Sequence, residues 1–211
     1  MARAVRWVYE GVDAIGGISP QIDGLIDRYG VPPWGRPIPA AERFDTLARL
    51  IASQQLSGDA ATAVWARVES AVGGGPDGPA PLLAVGPEVL RSAGLSRSKV
   101  AALHDLAARV DDGRLRLGRL GTLSDEEVID RLVSVRGVGE WSAQMFLIGA
   151  LRRGDVWPCG DVGVRTGWGR AHGADPPTAL EMPRLGEPFR PYRSLVAWYC
   201  RRCADTPPAG R

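Results

Sequence analysis

The segment Gly137-Val138-Gly139 has the residue types of a phosphate-binding turn. A helical segment that opens on a capping box at Ser124 leads into it, and a second amphipathic segment begins directly after it. Glycines permit a close approach of the backbone to a ligand, and Val138 is suited to fill the core between two helices. Unpaired amides at the start of the second helix then suit a phosphate. The pattern predicts a helix–hairpin–helix that grips a nucleic-acid backbone; the alternative is a plain link between core helices.

The cysteines, Cys159, Cys200 and Cys203, are the candidate metal ligands. An iron–sulfur cluster held by cysteine alone needs four thiolates, and the chain has 3. Zinc bound by cysteines with His104 or His172 would lack the paired spacing typical of zinc sites. We therefore expect no metal site and expect the thiols to lie in the core. The odd number of cysteines also favours a reducing compartment.

The elements that must position these residues are predicted to be helices. Serine N-caps are predicted before four segments with helical spacing of apolar residues, at Ser19, Ser57, Ser96 and Ser124. Further helical patterns cover residues 41–54, 141–151 and 192–203. Residues 73–79 are rich in glycine and proline and are predicted to form a loop. No segment alternates apolar and polar residues convincingly over the length of a strand, so the predicted fold class is all-α.

Composition and charge limit the class of protein. The 211 residues are 45% hydrophobic and 24% charged with a net charge of +2, which is typical of a globular protein. No apolar run approaches the roughly 18 residues that span a bilayer, and no secretory signal is apparent, so we expect a cytoplasmic protein. Residues 131–211 carry 12 basic against 7 acidic residues, so this part could face a polyanion.

Several motifs in one order resemble the helix–hairpin–helix superfamily of base-excision DNA glycosylases, specifically the alkyladenine (3-methyladenine) type. The matching segments are residues 50–57, 94–99, the hairpin, 155–158, 161–165 and 190–198. The resemblance implies two helical lobes that flank a DNA-binding cleft. We expect one lobe over residues 41–150, the other over residues 1–40 plus 151–203, and a tail over residues 204–211. We expect the protein to be a monomer.

The resemblance assigns catalysis to Asp161, which lies 22 residues beyond Gly139. The aspartate is expected to stabilise the oxocarbenium-like sugar and to orient or activate water. One carboxylate is enough for a cationic alkylated purine, because such a base is already a good leaving group. Many relatives have two aspartates here, whereas this chain has Gly160 before Asp161. The alternative is a helix N-cap, and one residue can do both.

The resemblance also implies a base pocket and further DNA contacts. Trp141 is expected to form an aromatic wall that receives an electron-poor base, with Tyr192 and Met145 as lesser candidates. The alternative for each is packing in the core. The turn Gln54-Gln55-Leu56-Ser57 lies where relatives push a side chain into the duplex to fill the hole left by the flipped base.

Lysine chemistry is not expected. Bifunctional members of the superfamily use a hairpin lysine to form a Schiff base with the sugar, and the matching position here is Trp141. Lys99 is the only lysine of the chain and lies in another motif. We therefore expect no strand cleavage and no organic cofactor. A monovalent cation held by carbonyl oxygens of the hairpin is compatible with the resemblance.

The predicted function is hydrolysis of the N-glycosidic bond of alkylated purines, such as 3-methyladenine and 7-methylguanine, in damaged double-stranded DNA. Such a monofunctional glycosylase starts base-excision repair. Two alternatives stay open. One is a glycosylase for another damaged base, such as an oxidised or deaminated purine. The other is a non-catalytic hairpin module, which would bind DNA without releasing a base.

Overall fold

Helices form every regular element of the part of the chain that the computed structural model describes, which is residues 5–56, 58–75 and 78–206. In chain order they are α1 (Arg6–Ile15), α2 (Pro20–Tyr29), α3 (Arg43–Ser53), α4 (Gly58–Ala71), α5 (Ala80–Ala84), α6 (Pro87–Ser92), α7 (Arg97–Asp111), α8 (Asp125–Val133), α9 (Glu140–Gly149), α10 (Val162–His172), α11 (Met182–Gly186) and α12 (Arg193–Asp205). Short 3-10 helices lie at Ala40–Glu42, Leu117–Thr122 and Glu187–Phe189. The all-α prediction is confirmed. None of the described helices has the length and apolar character needed to cross a membrane.

Capping explains where the predicted helices begin. The Ser96 hydroxyl accepts a hydrogen bond from the Lys99 amide at the start of α7. Ser124 and Glu127 form the predicted capping box at the start of α8. Helix α4 begins at Gly58, and its predicted cap, Ser57, lies outside the described residues. Ser19 is also the N-cap of its helix, α2, although its side chain makes no capping hydrogen bond.

Other helices had no predicted counterpart, namely α1, α5, α6 and α11, whereas the start of α10 was predicted through the N-cap alternative for Asp161. Helices α5 and α6 are only 5 and 6 residues long, too short for an apolar period to show in the sequence. At the start of α1, the N-cap Val5 makes no side-chain cap bond, so no start signal exists there. The expected tail also needs correction, because α12 continues through Ala204 to Asp205. Residues 207–211 lie outside the described range.

Two compact units divide the chain. We call Ile38–Leu151 the hairpin unit, and Met1–Pro37 together with Arg152–Arg211 the terminal unit. The two ends of the hairpin unit meet, because the Ile38 amide donates to the Ala150 carbonyl at 2.8 Å. Its core is apolar and fully buried, and it includes Leu47, Ile51, Leu103, Leu106, Phe146 and Leu147. Helices α3, α7 and α9 supply these side chains and so fix the segments between them.

The terminal unit is built around the close packing of α10 on α12. A Cβ added at Gly167 of α10 would lie 1.7 Å from the Cys200 carbonyl oxygen, so only glycine permits this approach. Helix α1 also packs closely on α12, since a Cβ at Gly11 would lie 2.5 Å from Leu195 Cδ1. The Tyr199 hydroxyl donates to the Gly30 carbonyl at 2.9 Å, which ties α12 to the end of α2. This packing places the start of α10 beside α12.

Candidate active site

The predicted hairpin joins α8 to α9 in the hairpin unit. Gly137 has a φ of +74°, a conformation that favours glycine. A Cβ added there would lie 3.2 Å from the Ala102 Cβ, so α7 also leaves little room for a side chain. Val138 is 4% exposed and fills the core, as the sequence predicts. Both residues thus have the structural roles expected of a tight hairpin.

Backbone amides, rather than side-chain charge, are the groups of this hairpin that suit an anion. Helix α9 begins at Glu140, and its N-cap Gly139 has no side-chain acceptor to offer. First-turn amides lack acceptors within their own helix and lie at the positive end of its dipole, which suits a phosphate. Glu140 adds one negative charge to this turn, and its Oε1 accepts a hydrogen bond from Gln144 Nε2 at 3.0 Å.

Gln54, predicted to lie in the DNA-contacting turn, holds the hairpin. Its Nε2 donates to the Gly137 carbonyl oxygen at 3.1 Å and to the Ser142 hydroxyl at 3.0 Å. The two acceptors lie on either side of the start of α9. The side chain of Gln54 therefore couples the turn after α3 to the hairpin, a role that sequence reasoning missed because the partners are 83 and 88 residues away.

The next residues of that turn are the ones that face solvent. Gln55 has a φ of +59°, unusual for a residue with a side chain, and is exposed. Leu56 is 38% exposed, although leucine usually lies in the core. Ser57 lies outside the described residues. Within the turn, Gln55 and Leu56 are therefore the described side chains placed to meet another molecule.

Lys99 anchors the same turn. Its ammonium Nζ donates to the Ala52 carbonyl at 2.8 Å and to the Gln54 carbonyl at 2.6 Å. These carbonyls lie at the end of α3, where the helix has no amide left to pair with them. Partial burial lowers the pKa of Lys99. The single lysine of the chain was the only hint of this role in the sequence.

Trp141 and Met145 lie one turn apart on α9, and residues four apart share a helix face. Both are half-buried, so part of each side chain remains accessible. Trp141 lies in the first turn of α9, next to the hairpin. The structure thus brings these two pocket candidates together within the hairpin unit.

Asp161 is the N-cap of α10 in the terminal unit. Its Oδ1 accepts a hydrogen bond from the Val164 amide at 2.7 Å, and its Oδ2 pairs with the guanidinium of Arg201 on α12. The aspartate side chain is 2% exposed, whereas that of Arg201 is 41% exposed. Asp161 is therefore a helix cap and also an ion-paired buried carboxylate. Arg201 was not predicted, since nothing near it in the sequence points to a partner 40 residues earlier.

A glycine and a cysteine complete the surroundings of this carboxylate. A Cβ added at Gly163 would lie 3.1 Å from Asp161 Oδ1, so the small residue lets the carboxylate sit against the first turn of α10. The Cys200 thiol is buried, and burial, with added repulsion from Cys203 and Asp161, raises its pKa. Cys203 is buried and Cys159 half-buried. Among the described residues, no group of three or more metal-binding side chains comes together.

Tyr192, the remaining pocket candidate, lies at the start of α12 and is half-buried. Its ring packs against α1, because a Cβ at Gly11 would lie 2.7 Å from Tyr192 Cδ1. Tyr192 and Asp161 thus belong to the terminal unit, whereas Trp141, Met145 and the hairpin belong to the other.

Known proteins are similar to this chain in sequence and in fold. The profile described as "HhH-GPD superfamily base excision DNA repair protein" matches residues 48–191. DNA-3-methyladenine glycosylase 1 of Schizosaccharomyces pombe is 32% identical over 188 residues, which cover 88% of this chain and 82% of the relative. The structure of the 3-methyladenine DNA glycosylase (Mag1) of the same yeast in complex with abasic DNA matches with a TM-score of 0.84 at 29% identity, covering 92% of this chain and 95% of that chain. A DNA-3-methyladenine glycosidase from Bacillus halodurans matches with a TM-score of 0.77 at 31% identity, covering 93% of this chain and 89% of that one.

The profile match includes the turn after α3, the hairpin and Asp161. It extends over more than half of the chain, and the yeast relative is similar along most of both sequences. The resemblance seen in the ordered motifs is therefore confirmed, and the chain belongs to the HhH-GPD superfamily of base excision DNA repair proteins.

Proposed function

We propose that this protein is a monofunctional DNA glycosylase that hydrolyses the N-glycosidic bond of alkylated purines, such as 3-methyladenine and 7-methylguanine, in double-stranded DNA. The observation that carries the proposal is the buried Asp161 carboxylate, held by the Val164 amide and by Arg201. The names of the relatives, 3-methyladenine glycosylases, support the substrate class. The bound abasic DNA of the yeast relative supports duplex DNA as the partner.

The chemistry follows from what the reaction needs. The target nucleotide must leave the base stack, because its glycosidic bond cannot be reached within the duplex. As that bond breaks, positive charge develops on the deoxyribose, and a fixed carboxylate stabilises it. Water then adds at the sugar carbon, with Asp161 orienting it or accepting its proton. A cationic alkylated base leaves as a neutral molecule, so the reaction needs no second carboxylate as a proton donor.

The hairpin would hold the DNA backbone during this reaction. First-turn amides of α9 bind a phosphate without reading bases, which suits an enzyme that must act in any sequence. The hairpin carbonyls suit a monovalent cation, since the Gly137 oxygen accepts one hydrogen bond from Gln54 and retains a second lone pair. Such an ion would add positive charge next to a DNA phosphate.

Two observations support the absence of strand cleavage. The hairpin position at which bifunctional relatives carry a lysine is occupied by Trp141. Lys99, the single lysine, has its ammonium bound to two carbonyl oxygens at 2.8 and 2.6 Å, so its amine is engaged in holding a turn. A Schiff base needs a free, unprotonated amine.

Release of free bases tests the activity. Incubation of methylated DNA with the protein should release 3-methyladenine and 7-methylguanine, identified by mass. Release of a different damaged base from suitably treated DNA would redirect the proposal to the alternative glycosylase. Duplex binding with no base release from any of these substrates would favour a non-catalytic hairpin module.

Borohydride trapping tests the monofunctional mechanism. Reduction during turnover should yield no covalent protein–DNA adduct, and the DNA product should stay an intact strand until alkali is added. The N-terminal amine is a rival nucleophile and should be blocked in a parallel sample. An adduct that survives this blocking and disappears in Lys99→Ala would show that the protein is a lyase.

A further inference from the structure

A pocket rich in arginine lies in the hairpin unit, apart from the residues discussed so far. Its volume is about 240 Å³. The lining residues are Gly113, Arg114, Arg116, Arg119, Leu123 and Arg131. Arg131 belongs to α8, and the others lie between α7 and α8. A concave surface lined by four arginines is suited to an anion.

Two acidic residues close to the pocket in the sequence are paired with arginines. Arg114 Nη2 lies 2.6 Å from Asp112 Oδ2, and Arg109 Nε lies 2.8 Å from Asp105 Oδ2. By contrast, Arg116, Arg119 and Arg131 make no ion pair with a carboxylate in the part of the chain that the structure describes. All three are exposed. No acidic residue lines the pocket, so its lining carries three arginines that pair with no carboxylate of the described residues.

The shape and chemistry of the pocket favour a phosphate group. Guanidinium groups bind phosphate through two parallel hydrogen bonds, and arginine is the side chain best suited to this geometry. At roughly 30 Å³ per water molecule, the pocket has room for one phosphate group with some of its hydration water. Leu123 is the one lining residue with a large apolar side chain, so little of the wall would repel a hydrated anion.

The pocket is close to the hairpin along the chain. Arg131 and Gly137 are six residues apart, and a fully extended segment of this length spans at most about 21 Å. Duplex DNA carries one phosphate charge per about 1.7 Å of its axis. The Cα atoms of Arg131 and Gly137 are thus at most about 21 Å apart, a length over which a duplex presents several phosphates.

We propose that Arg116, Arg119 and Arg131 form a second phosphate-binding site, which holds the backbone of the same DNA duplex that the hairpin binds. This inference rests on the proposed function, since it takes DNA as the ligand. The site would add affinity through charge without reading sequence. Arg114 is left out of the site, because its guanidinium is paired with Asp112.

The test compares two variants of the full chain that lose the same net charge. The pocket variant carries Arg116→Gln, Arg119→Gln and Arg131→Gln. The control variant carries Arg6→Gln, Arg28→Gln and Arg184→Gln, which change three exposed arginines of the terminal unit. The probe is a 20-base-pair duplex with an uncleavable abasic-site analogue. Its Kd is measured from low to moderate salt for both variants and for the wild type, after melting curves show that all three are folded.

Removal of one arginine–phosphate interaction should reduce the slope of log Kd against log salt by about 0.9. We expect the slope of the pocket variant to fall by between about one and three units, and that of the control variant by less than half as much. Equal slopes for the two variants would overturn the proposal. Inorganic phosphate could still raise the Tm of the wild type and not that of the pocket variant. With equal slopes, that result would show a site for a free anion and not for DNA, and the proposal would still be wrong.

Base release by the wild type, measured on the same preparation, separates this proposal from the proposed function. If the wild type excises bases and the slopes are equal, only the second phosphate site is wrong. If the wild type excises nothing but the slopes differ, the DNA-binding site stands and the proposed activity is wrong.

Discussion

A single aspartate of the terminal unit makes two different interactions. Asp161 caps α10 through one carboxylate oxygen and pairs with Arg201 through the other. Each oxygen thus faces a positively polarised donor, so the carboxylate is held in place before any substrate arrives. Electrostatic catalysis depends on such a preorganised charge, because no energy is then spent on reorientation during the reaction. The capping interaction therefore supports the proposed catalytic role.

Trp141 should favour cationic bases. Its indole face can attract an electron-deficient ring by about 1–2 kcal/mol when water is excluded, which corresponds to a factor of roughly 5 to 30 in rate if it acts in the transition state. Trp141→Leu keeps an apolar side chain and removes the π face, whereas Trp141→Phe keeps a smaller one. Single-turnover excision should be measured for 7-methylguanine and for neutral hypoxanthine.

We expect the leucine variant to lose more rate on the cationic base than on hypoxanthine, with the phenylalanine variant between it and the wild type. The wild type should prefer the cationic base in any case, because a cationic base is the better leaving group. The contribution of the indole is therefore given only by how much this preference changes between the variants. Equal losses on both bases would make Trp141 a packing residue.

At the scale of elements, the turn after α3 is held from two sides. Lys99 of α7 binds two carbonyls at the end of α3, and the Gln54 amide group binds the hairpin and α9. These contacts leave Gln55 and Leu56 exposed at the tip. One arrangement of helices therefore fixes the turn and the hairpin, both proposed to contact DNA, relative to each other within the hairpin unit.

Removing the lysine anchor should loosen this turn. Lys99→Met keeps the aliphatic stem but leaves the Ala52 and Gln54 carbonyls without their charged donor. Hydrogen bonds to charged groups contribute about 1.5–3 kcal/mol each, and less where solvent reaches them, so we expect unfolding stability to fall by about 1–2 kcal/mol. The Kd for an abasic duplex should rise about tenfold, and the Kd for undamaged duplex should rise less, because the turn acts at the lesion.

The matched control is Arg97→Met, which removes an exposed positive charge two residues away on the same helix. Melting curves and fluorescence anisotropy with both duplexes give the required values. A Lys99→Met protein that behaves like the Arg97→Met control in all of these measurements would show that the anchor has no role in positioning the turn.

At the scale of the whole molecule, local signals and distant contacts differ in what could be predicted. The capping box at Ser124, the left-handed glycine at Gly137 and the N-cap at Asp161 all act within a few residues, so sequence patterns revealed them. The pair between Asp161 and Arg201 joins residues 40 apart, and Lys99 reaches a carbonyl 45 residues away. Such contacts arise only when helices pack, and no local pattern encodes them. The short helices α5 and α6 were not predicted, because one or two helical turns are too short to show a periodic pattern of apolar residues.

We propose that the protein binds damaged DNA through contacts with the DNA backbone and breaks the glycosidic bond with the help of Asp161. Asp161→Asn separates the two functions. Asparagine caps helices about as well as aspartate, so the start of α10 should survive, and a melting curve checks the effect of losing the ion pair with Arg201.

The decisive measurement is the single-turnover rate of 3-methyladenine or 7-methylguanine release by Asp161→Asn, taken beside its Kd for the same damaged duplex. We expect the rate to fall on the order of a thousandfold or more, since the missing stabilisation of the sugar cation is about 4 kcal/mol. Binding should stay the same or become slightly tighter, because one negative charge near the DNA is gone. A folded variant that releases the base at close to the wild-type rate would contradict this account and leave Asp161 as a helix cap alone.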